Sequence, residues 1–415
     1  MVINFTSVSG TLRIPSSKSH TQRVLAAAML HRGTTDIIRP GNSEDELAVC
    51  GIVRDHCDLF EEIANGWRVH ASGNHSFTKD FFCGESGLAA RLLTPVAALS
   101  QNQISVTGTG SLLTRPMHFF NEVLPQLGVH VEGNDCLPVR IKGPLCPADI
   151  TVDGSISSQF ISGLMFAFAF AAGNAVAITI KNPVSIPYLN LSRQVLQLFG
   201  KYIGHPETGS YLFDPRKNEI KPQLRVEIEA DWSSAAFWIC AAAINGSMQL
   251  EGLSADSLQA DIAILKALQQ SGTPFHFEQG NLIVRSGERR PFTIDLTDAP
   301  DLFPVLSVFA AGCNGVSYLS GVHRLKHKES DRALEIQKLL SDMHIDCAAE
   351  KDTLRIAGGK TTASFQFVPP ADHRMVMATA LAAMYHSGDF RLHHNADAVA
   401  KSYPLFWEHL RRHGN

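Results

Sequence analysis

Two acids stand against a basic background in the last third of the chain: Asp301 in "TDAPDLFP", and Glu329 directly after Lys328 in "HKESDR". A carboxylate among cations has its charged form favoured, which suits a base. A second carboxylate, partly desolvated, can hold a proton and serve as an acid. Either one alone reads equally well as half of a structural salt bridge. Lys and Arg also recur near the starts of expected helices. Lys18 and Arg23 lie in "SSKSHTQR", and Arg115 precedes Pro116, the expected first helical residue, in "LLTRPMHFF". Lys328 and Arg332 bracket "KESDR", Arg374 sits in "ADHRM", Lys401 opens "KSYPLF", and Arg91 lies one turn inside its own helix.

A cation at a helix N-terminus opposes the macrodipole, at a cost of a few tenths to about 1 kcal/mol. One such residue is a surface lysine swinging into water; five or six ask for a common cause. If these helix ends converge, N–H groups, dipoles and cations together bind a multiply charged anion. The planar fork of Arg suits carboxylate or phosphate, while Lys18 and Lys401 would act as movable point charges. Serine-rich turns add hydroxyl donors, above all Ser157-Ser158-Gln159 in "GSISSQF". Ser16 or Ser17 is expected to cap the helix after Pro15, and Asp231 and Asp372 read as caps. The phosphate-loop pattern GxxxxGK[ST] is absent, which argues against an ordinary P-loop kinase.

Composition narrows the possibilities. A formal net charge of −4 over 415 residues excludes a broadly basic nucleic-acid-binding surface, so any anion site is a local concentration of cations. Eight cysteines without CxxC spacing fit reduced thiols in a cytoplasmic protein. His323 and His327 are one turn apart and His393-His394 are adjacent, but no third ligand has suitable spacing, so no metal is expected. The first residues lack a signal peptide's basic and long apolar regions. The most apolar run, "FISGLMFAFAFAAGNAVAITI", breaks at Gly173-Asn174 and reads as a buried helix followed by a strand, not a membrane span.

The elements that would position these residues follow a repeat of pattern, not identity. A strand, a polar turn, a helix of small apolar residues, a glycine stop and a new strand open the chain, with Gly33 as the first stop. The same order recurs in "DFFCGESGLAARLL", "ADITVDGSISSQFISGLMF", "LRVEIEADWSSAAFWIC", "FTIDLTDAPDLFPVLSVF" and "FQFVPPADHRMVMATAL", six copies roughly 70 residues apart. A second, amphipathic helix follows each, beginning near Ser43, Pro116, Pro187, Ser257, Ser330 and Ser402. In "DRALEIQKLLSDM", Ala333, Ile336, Leu339 and Leu340 share one face. The small-residue helices are apolar on every face and belong in the interior. The spacing predicts an α/β protein of six β-α-β-α-β-β units, three to each of two domains.

The motifs "IPSSKSHTQR", "SISSQF", "EADWSSA", "HKESDR", "DHRM" and "AKSYP" together resemble the 5-enolpyruvylshikimate-3-phosphate synthase family. The resemblance spans all six copies. It implies a two-domain inside-out α/β barrel, with residues 1–15 joined to 230–415 in a discontinuous domain, 16–229 inserted, and the active site in the interdomain cleft. It further implies carboxyvinyl transfer from phosphoenolpyruvate to the 5-hydroxyl of shikimate 3-phosphate by a cytoplasmic monomer that closes on its substrates. No cofactor, metal, nucleic acid or membrane is implied.

Residue by residue, the resemblance assigns Lys18, Ser19, Arg23, Ser157, Ser158, Gln159, Ser185, Tyr188, Asp301 and Lys328 to shikimate 3-phosphate. It assigns Lys18, Gly87, Arg115, Gln159, Arg332, Arg374 and Lys401 to phosphoenolpyruvate. Asp301 becomes the base at the 5-hydroxyl, Glu329 the acid at the methylene carbon, and Lys18 a catalytic cation. Four residues depart from the family pattern. Ser17 replaces a glycine, Arg324 a common Asn, Glu85 a neutral amide and Leu88 a Thr. Glu85 should repel phosphoenolpyruvate unless it points away or pairs with a cation such as Arg91. The rival enolpyruvyl transferase acting on a UDP-sugar relies on a loop Cys, whereas the matching loop here is "LLTRP". A non-catalytic anion-binding relative is the other alternative.

Overall fold

The computed structural model describes residues 1–205, 209–326, 328–359 and 364–415. Contacts divide the chain into two compact units, Ser16–Ile228 and Met1–Pro15 with Glu229–Asn415.

Within Ser16–Ile228 the small-residue helices Lys18–Leu30, Gly87–Ala97 and Ser158–Ala171 pack against one another. Every residue from His20 to Leu30 is buried, as is every residue from Gly87 to Ala97. Helices that are apolar all round can hide only behind other elements, and small side chains let them approach closely. Gly163 shows the tightest approach, since a Cβ there would lie 2.6 Å from the Arg91 carbonyl oxygen. Within the other unit, Trp232–Asn245, Phe303–Ala311 and His373–Ala382 pack together in the same way.

Among the described residues five four-stranded sheets flank these helices, and all follow one plan. In the third copy, Ile150–Asp153 pairs parallel with Val176–Lys181, which pairs antiparallel with Ser210–Phe213, and that strand with Ile203–Gly204. The buried helix connects the parallel pair, and the amphipathic helix Ile186–Leu198 leads into the hairpin. The expected β-α-β-α-β-β unit is therefore present as a sheet plus two helices. In the sixth copy the described residues form a two-stranded pair, Val2–Ile3 with Phe390–Arg391.

Copies one and four differ from the period reading. Val8–Arg13 precedes the first buried helix in sequence, yet it pairs parallel with Gly246–Glu251 of the fourth copy. Gln223–Glu227, read as the leading strand of copy four, pairs instead with Arg32–Ile38. The two copies have exchanged leading strands, because the chain enters one unit at Ser16 and leaves it at Ile228. Gly33 is not the helix stop: the helix ends at Leu30 with His31 as cap. Gly33 instead admits the exchanged strand, since a Cβ there would lie 2.4 Å from the Pro222 carbonyl oxygen.

Second helices begin near the expected positions at Glu44, Ile186 and Arg332. Elsewhere the helix starts later than expected, at Ile264 after the 3-10 segment Ala260–Ala263 and at Phe406 a few residues beyond the 3-10 segment Ala396–Lys401. Ile336, Leu339 and Leu340 are buried on one face of Arg332–Asp342, and Ala333 is half-buried beside them. Among the described residues no helix is long and apolar enough to cross a membrane.

Candidate active site

In Ser16–Ile228, Lys18, Ser19, Gly87, Ser158 and Gln159 sit on the first turns of the buried helices. Ser17 caps Lys18–Leu30, its hydroxyl accepting from His20 N–H at 3.3 Å, while the Ser16 hydroxyl donates to the Arg39 carbonyl at 2.6 Å. Ser17 has φ −66° and ψ 115°, ordinary extended backbone, so the turn has no need of a glycine. Lys18 follows, its ammonium 2.8 Å from Asp45 of helix Glu44–His56. One turn on, Arg23 is 1% exposed and held by neutral acceptors. Its Nε donates to Ser192 Oγ at 2.8 Å, Nη1 to the Ser19 carbonyl at 2.9 Å and Nη2 to the Tyr188 carbonyl at 3.5 Å. The guanidinium also lies 5.7 Å from the Tyr188 ring centroid, within cation–π range. Burial lowers the Arg23 pKa to about 10, opposed by Tyr188, so it remains a cation at neutral pH. His20 beside it is pulled down to about 4 by burial and by Arg23, and is neutral.

Two further helix starts meet nearby. Ser157 caps Ser158–Ala171 by accepting from Gln159 N–H at 3.3 Å, and Ser86 caps Gly87–Ala97 by accepting from Ala89 N–H at 3.2 Å. A Cβ at Gly87 would lie 2.7 Å from Arg115 Nη1 and 3.9 Å from Gln159 Oε1. The absence of a side chain at Gly87 lets the guanidinium rest against that first turn. Gln159 accepts from Arg91 Nη1 at 3.1 Å, and Arg91 stacks 4.8 Å over Phe160. Ser185, 5% exposed, caps Ile186–Leu198 in the left-handed region with φ 52°. A non-glycine residue held there is strained, as residues at binding sites often are.

Two expectations about helix starts are corrected. Arg115 closes a 3-10 turn, Gly110–Thr114, and the next helix starts at Phe119, not Pro116. Lys401 ends the 3-10 segment Ala396–Lys401 and does not open a helix. Glu85 faces the Gly110–Ser111 turn. Ser111 Oγ donates to Glu85 Oε2 at 3.2 Å and accepts from Arg115 Nη2 at 3.2 Å, which links the acid to the arginine through a hydroxyl.

In the unit containing Glu229–Asn415 the cations meet acids. Arg332, the first residue of its helix and 1% exposed, binds three carboxylates. Nη1 lies 2.7 Å from Asp301, Nη2 2.7 Å from Glu329 and Nε 2.7 Å from Asp372. Arg374 Nη2 lies 3.1 Å and Lys328 Nζ 3.4 Å from Asp301, and Lys401 Nζ lies 3.9 Å from Glu329. Burial works against the Asp301 charge, but Arg374, Lys328 and Arg332 outweigh it and hold this carboxyl well below the usual range. Burial likewise opposes charge on Arg332, while Asp372, Glu329 and Asp301 hold its pKa above the ordinary arginine value. Asp301 is thus an ionised acceptor, its side chain 28% exposed against 11% for Glu329.

The sequence reading missed several partners. Asp372 caps its helix, accepting from Arg374 N–H at 2.9 Å, and is also an anchor for Arg332. Asp45 under Lys18 and Ser192 under Arg23 carried no sequence signal, because each lies in a second helix far along the chain. Asp231 caps as expected, accepting from Ser234 N–H at 2.7 Å. His323 pairs with Asp352 at 2.8 Å, and His327 lies outside the described residues. Among the described residues no group of three His, Cys, Asp or Glu is arranged to hold a metal ion.

Known proteins share both sequence and architecture with this chain. The family model described as EPSP synthase (3-phosphoshikimate 1-carboxyvinyltransferase) matches residues 3–410. A 3-phosphoshikimate 1-carboxyvinyltransferase of Methanocorpusculum labreanum is 30% identical, covering 100% of this chain and 98% of its own. One of Thermococcus kodakarensis is 32% identical over 98% and 97%. Among solved structures, an EPSP synthase of Acinetobacter baumannii superposes with a TM-score of 0.79 at 25% identity, covering 100% of this chain and 98% of that one. The enolpyruvyl transferase NikO of Streptomyces tendae shares the fold, with a TM-score of 0.78 at 17% identity over 99% and 96%. The chain belongs to the EPSP synthase family.

Proposed function

We propose that this chain transfers the carboxyvinyl group of phosphoenolpyruvate to the 5-hydroxyl of shikimate 3-phosphate, releasing phosphate. The observation that carries this reading is the pair Asp301 and Glu329, each 2.7 Å from the Arg332 guanidinium. One base and one acid sharing a buried cation match a reaction that removes a hydroxyl proton and delivers one to carbon. In this reading Glu329 protonates the methylene carbon, and the 5-hydroxyl attacks the resulting cationic carbon as Asp301 takes its proton. The tetrahedral adduct then loses phosphate and a methyl proton, restoring the vinyl group on its new oxygen. An arriving phosphoenolpyruvate competes with Asp301 for Arg332 and Arg374, and drawing those cations away raises the basicity of Asp301 when it is needed.

Lys18, Ser19, Arg23, Ser157, Ser158, Gln159, Ser185 and Tyr188 would hold shikimate 3-phosphate, with Asp301 and Lys328 toward its reacting hydroxyl. Gly87, Arg115, Arg332, Arg374 and Lys401 would hold phosphoenolpyruvate, with Lys18 and Gln159 reaching both. Cations already in place stabilise charge on the departing phosphate without moving. The same reading has the chain act as a cytoplasmic monomer. Release of phosphate from a mixture of both substrates tests the proposal; no release with shikimate 3-phosphate overturns it, and release with a UDP-sugar acceptor assigns the rival reaction.

A further inference from the structure

Three helices of Ser16–Ile228 meet at one hydroxyl that the proposed reaction does not use. Ser192, 0% exposed, lies in helix Ile186–Leu198, whose start bears Ser185 and Tyr188. Its Oγ accepts at 2.8 Å from Nε of Arg23, on helix Lys18–Leu30. It also lies 2.8 Å from Oγ of Ser162, which is 0% exposed on helix Ser158–Ala171, and 2.9 Å from the Tyr188 carbonyl one turn back. A hydroxyl has one proton and two acceptor lone pairs. All three contacts are met at once when Ser192 donates to the carbonyl, which can only accept, and receives the Arg23 Nε–H and the Ser162 proton on its two lone pairs. The node sets the rotation of the guanidinium in its own plane. Nε goes to Ser192 and Nη1 to the Ser19 carbonyl at 2.9 Å, while the Nη2 contact with the Tyr188 carbonyl is long, at 3.5 Å. With Nε occupied, the fork left to bind a pair of anionic oxygens is the Nη1–Nη2 end.

We propose that Ser192 is a positioning residue for shikimate 3-phosphate binding, acting through Arg23: it holds Nε so that the Nη1–Nη2 end is the one offered to the ligand. The proposal rests on assigning Arg23 to shikimate 3-phosphate. A buried guanidinium N–H without an acceptor is costly, so removing the hydroxyl lets Arg23 turn until Nε finds another oxygen, and the fork turns with it. Through Ser162 the same hydroxyl ties together the helices that begin at Lys18, Ser158 and Ile186. These are the helices whose first turns carry the other residues assigned to the same ligand. A serine does this without weakening the cation, because its oxygen bears no net charge.

The test is a mutant cycle read by phosphate release. Ser192→Ala should raise KM for shikimate 3-phosphate about 10-fold, the worth of one hydrogen bond to a charged group, and leave kcat and KM for phosphoenolpyruvate within about two-fold. Ser192→Thr should restore the wild-type KM, because a threonine on a helix can place its hydroxyl on the carbonyl one turn back. In an Arg23→Met background, Ser192→Ala should have no further effect on that KM. An unchanged KM in Ser192→Ala, a threonine variant as weak as the alanine one, or an equal rise in the Arg23→Met background overturns the proposal. Failure of the reaction reading would show separately, as no phosphate release from wild type, and failure of the Arg23 assignment as a wild-type KM in Arg23→Met alone. A second measurement needs no turnover. In nitrogen NMR of arginine-labelled chain, the Arg23 Nε–H, identified by its loss in Arg23→Met, should exchange slowly with solvent in wild type and faster in Ser192→Ala. An unchanged exchange rate overturns the proposal.

Discussion

The two sets of site cations are held in opposite ways. In Ser16–Ile228, Arg23 leans on a serine hydroxyl, two carbonyls and a tyrosine ring, and Arg91 on an amide, a carbonyl and a phenylalanine ring. In the other unit Arg332 alone meets three carboxylates, and Arg374 and Lys328 share one of them. Neutral partners fix a guanidinium without spending its charge, so Arg23 would keep its full attraction for a phosphate ester in the proposed reaction. Carboxylate partners neutralise the cations but place ionisable oxygens where protons must move. Lys18 differs from Arg23 in being paired with a carboxylate, Asp45 at 2.8 Å, which would suit an ammonium that changes partners in the proposed reaction. In the proposed reaction, one arrangement would bind and the other exchange protons.

Substitutions can break this contrast at each point. The largest effect is expected on the proton-exchanging side: Asp301→Asn and Glu329→Gln should each lower kcat by about 10²- to 10⁴-fold while leaving both KM values within a few-fold. Steady-state phosphate release checks this, and wild-type turnover in either removes that residue from the acid–base pair. Arg332→Met should destabilise the fold by about 3–5 kcal/mol, because it removes the buried cation that three carboxylates share. Adding Asp372→Asn should recover part of that loss in urea unfolding. Arg23→Met leaves no carboxylate stranded, so the contrast predicts a binding loss instead, with KM for shikimate 3-phosphate up about 10- to 100-fold, the worth of a charge-assisted hydrogen bond.

Asp301 also predicts a pH dependence. Its folded pKa lies below the ordinary value of 3.8, so the stability it contributes is present above that value and lost as the pH falls toward the folded pKa. Acid unfolding followed by circular dichroism should be less steep in Asp301→Asn. The smallest effect belongs to Glu85. Because Ser111 connects it to Arg115, Glu85→Gln keeps the hydrogen bond and removes the charge, and KM for phosphoenolpyruvate should fall about two- to five-fold. An unchanged KM would mean that the acid does not reach the anion site.

The residue types proposed to bind and react were legible because they violate local preference. Cations at helix starts and acids among cations stand out in one dimension, as do helices with no polar face. Their partners were not legible. Arg332 and Asp372 lie 40 residues apart and Arg23 and Ser192 lie 169 apart, and neither Asp372 nor Ser192 departs from what its own helix wants. Asp372 satisfies the cap rule fully, so nothing local hints at its second role. Glu85 was conspicuous as a charge, yet its direction depended on Ser111 of a later turn.

By itself the sequence determined the six-fold alternation of buried helix and strand, since apolar periodicity and turn residues act over a few neighbours. It also determined which side chains could carry charge to an anion. Only the tertiary structure decided that Val8–Arg13 pairs with Gly246–Glu251 while Gln223–Glu227 pairs with Arg32–Ile38. Any leading strand can satisfy the ladder of any copy, and choosing among them is a matter of chain path. The same holds for protonation: whether a carboxyl is a base, an anchor or a neutral acid depends on what burial and distant charges place around it.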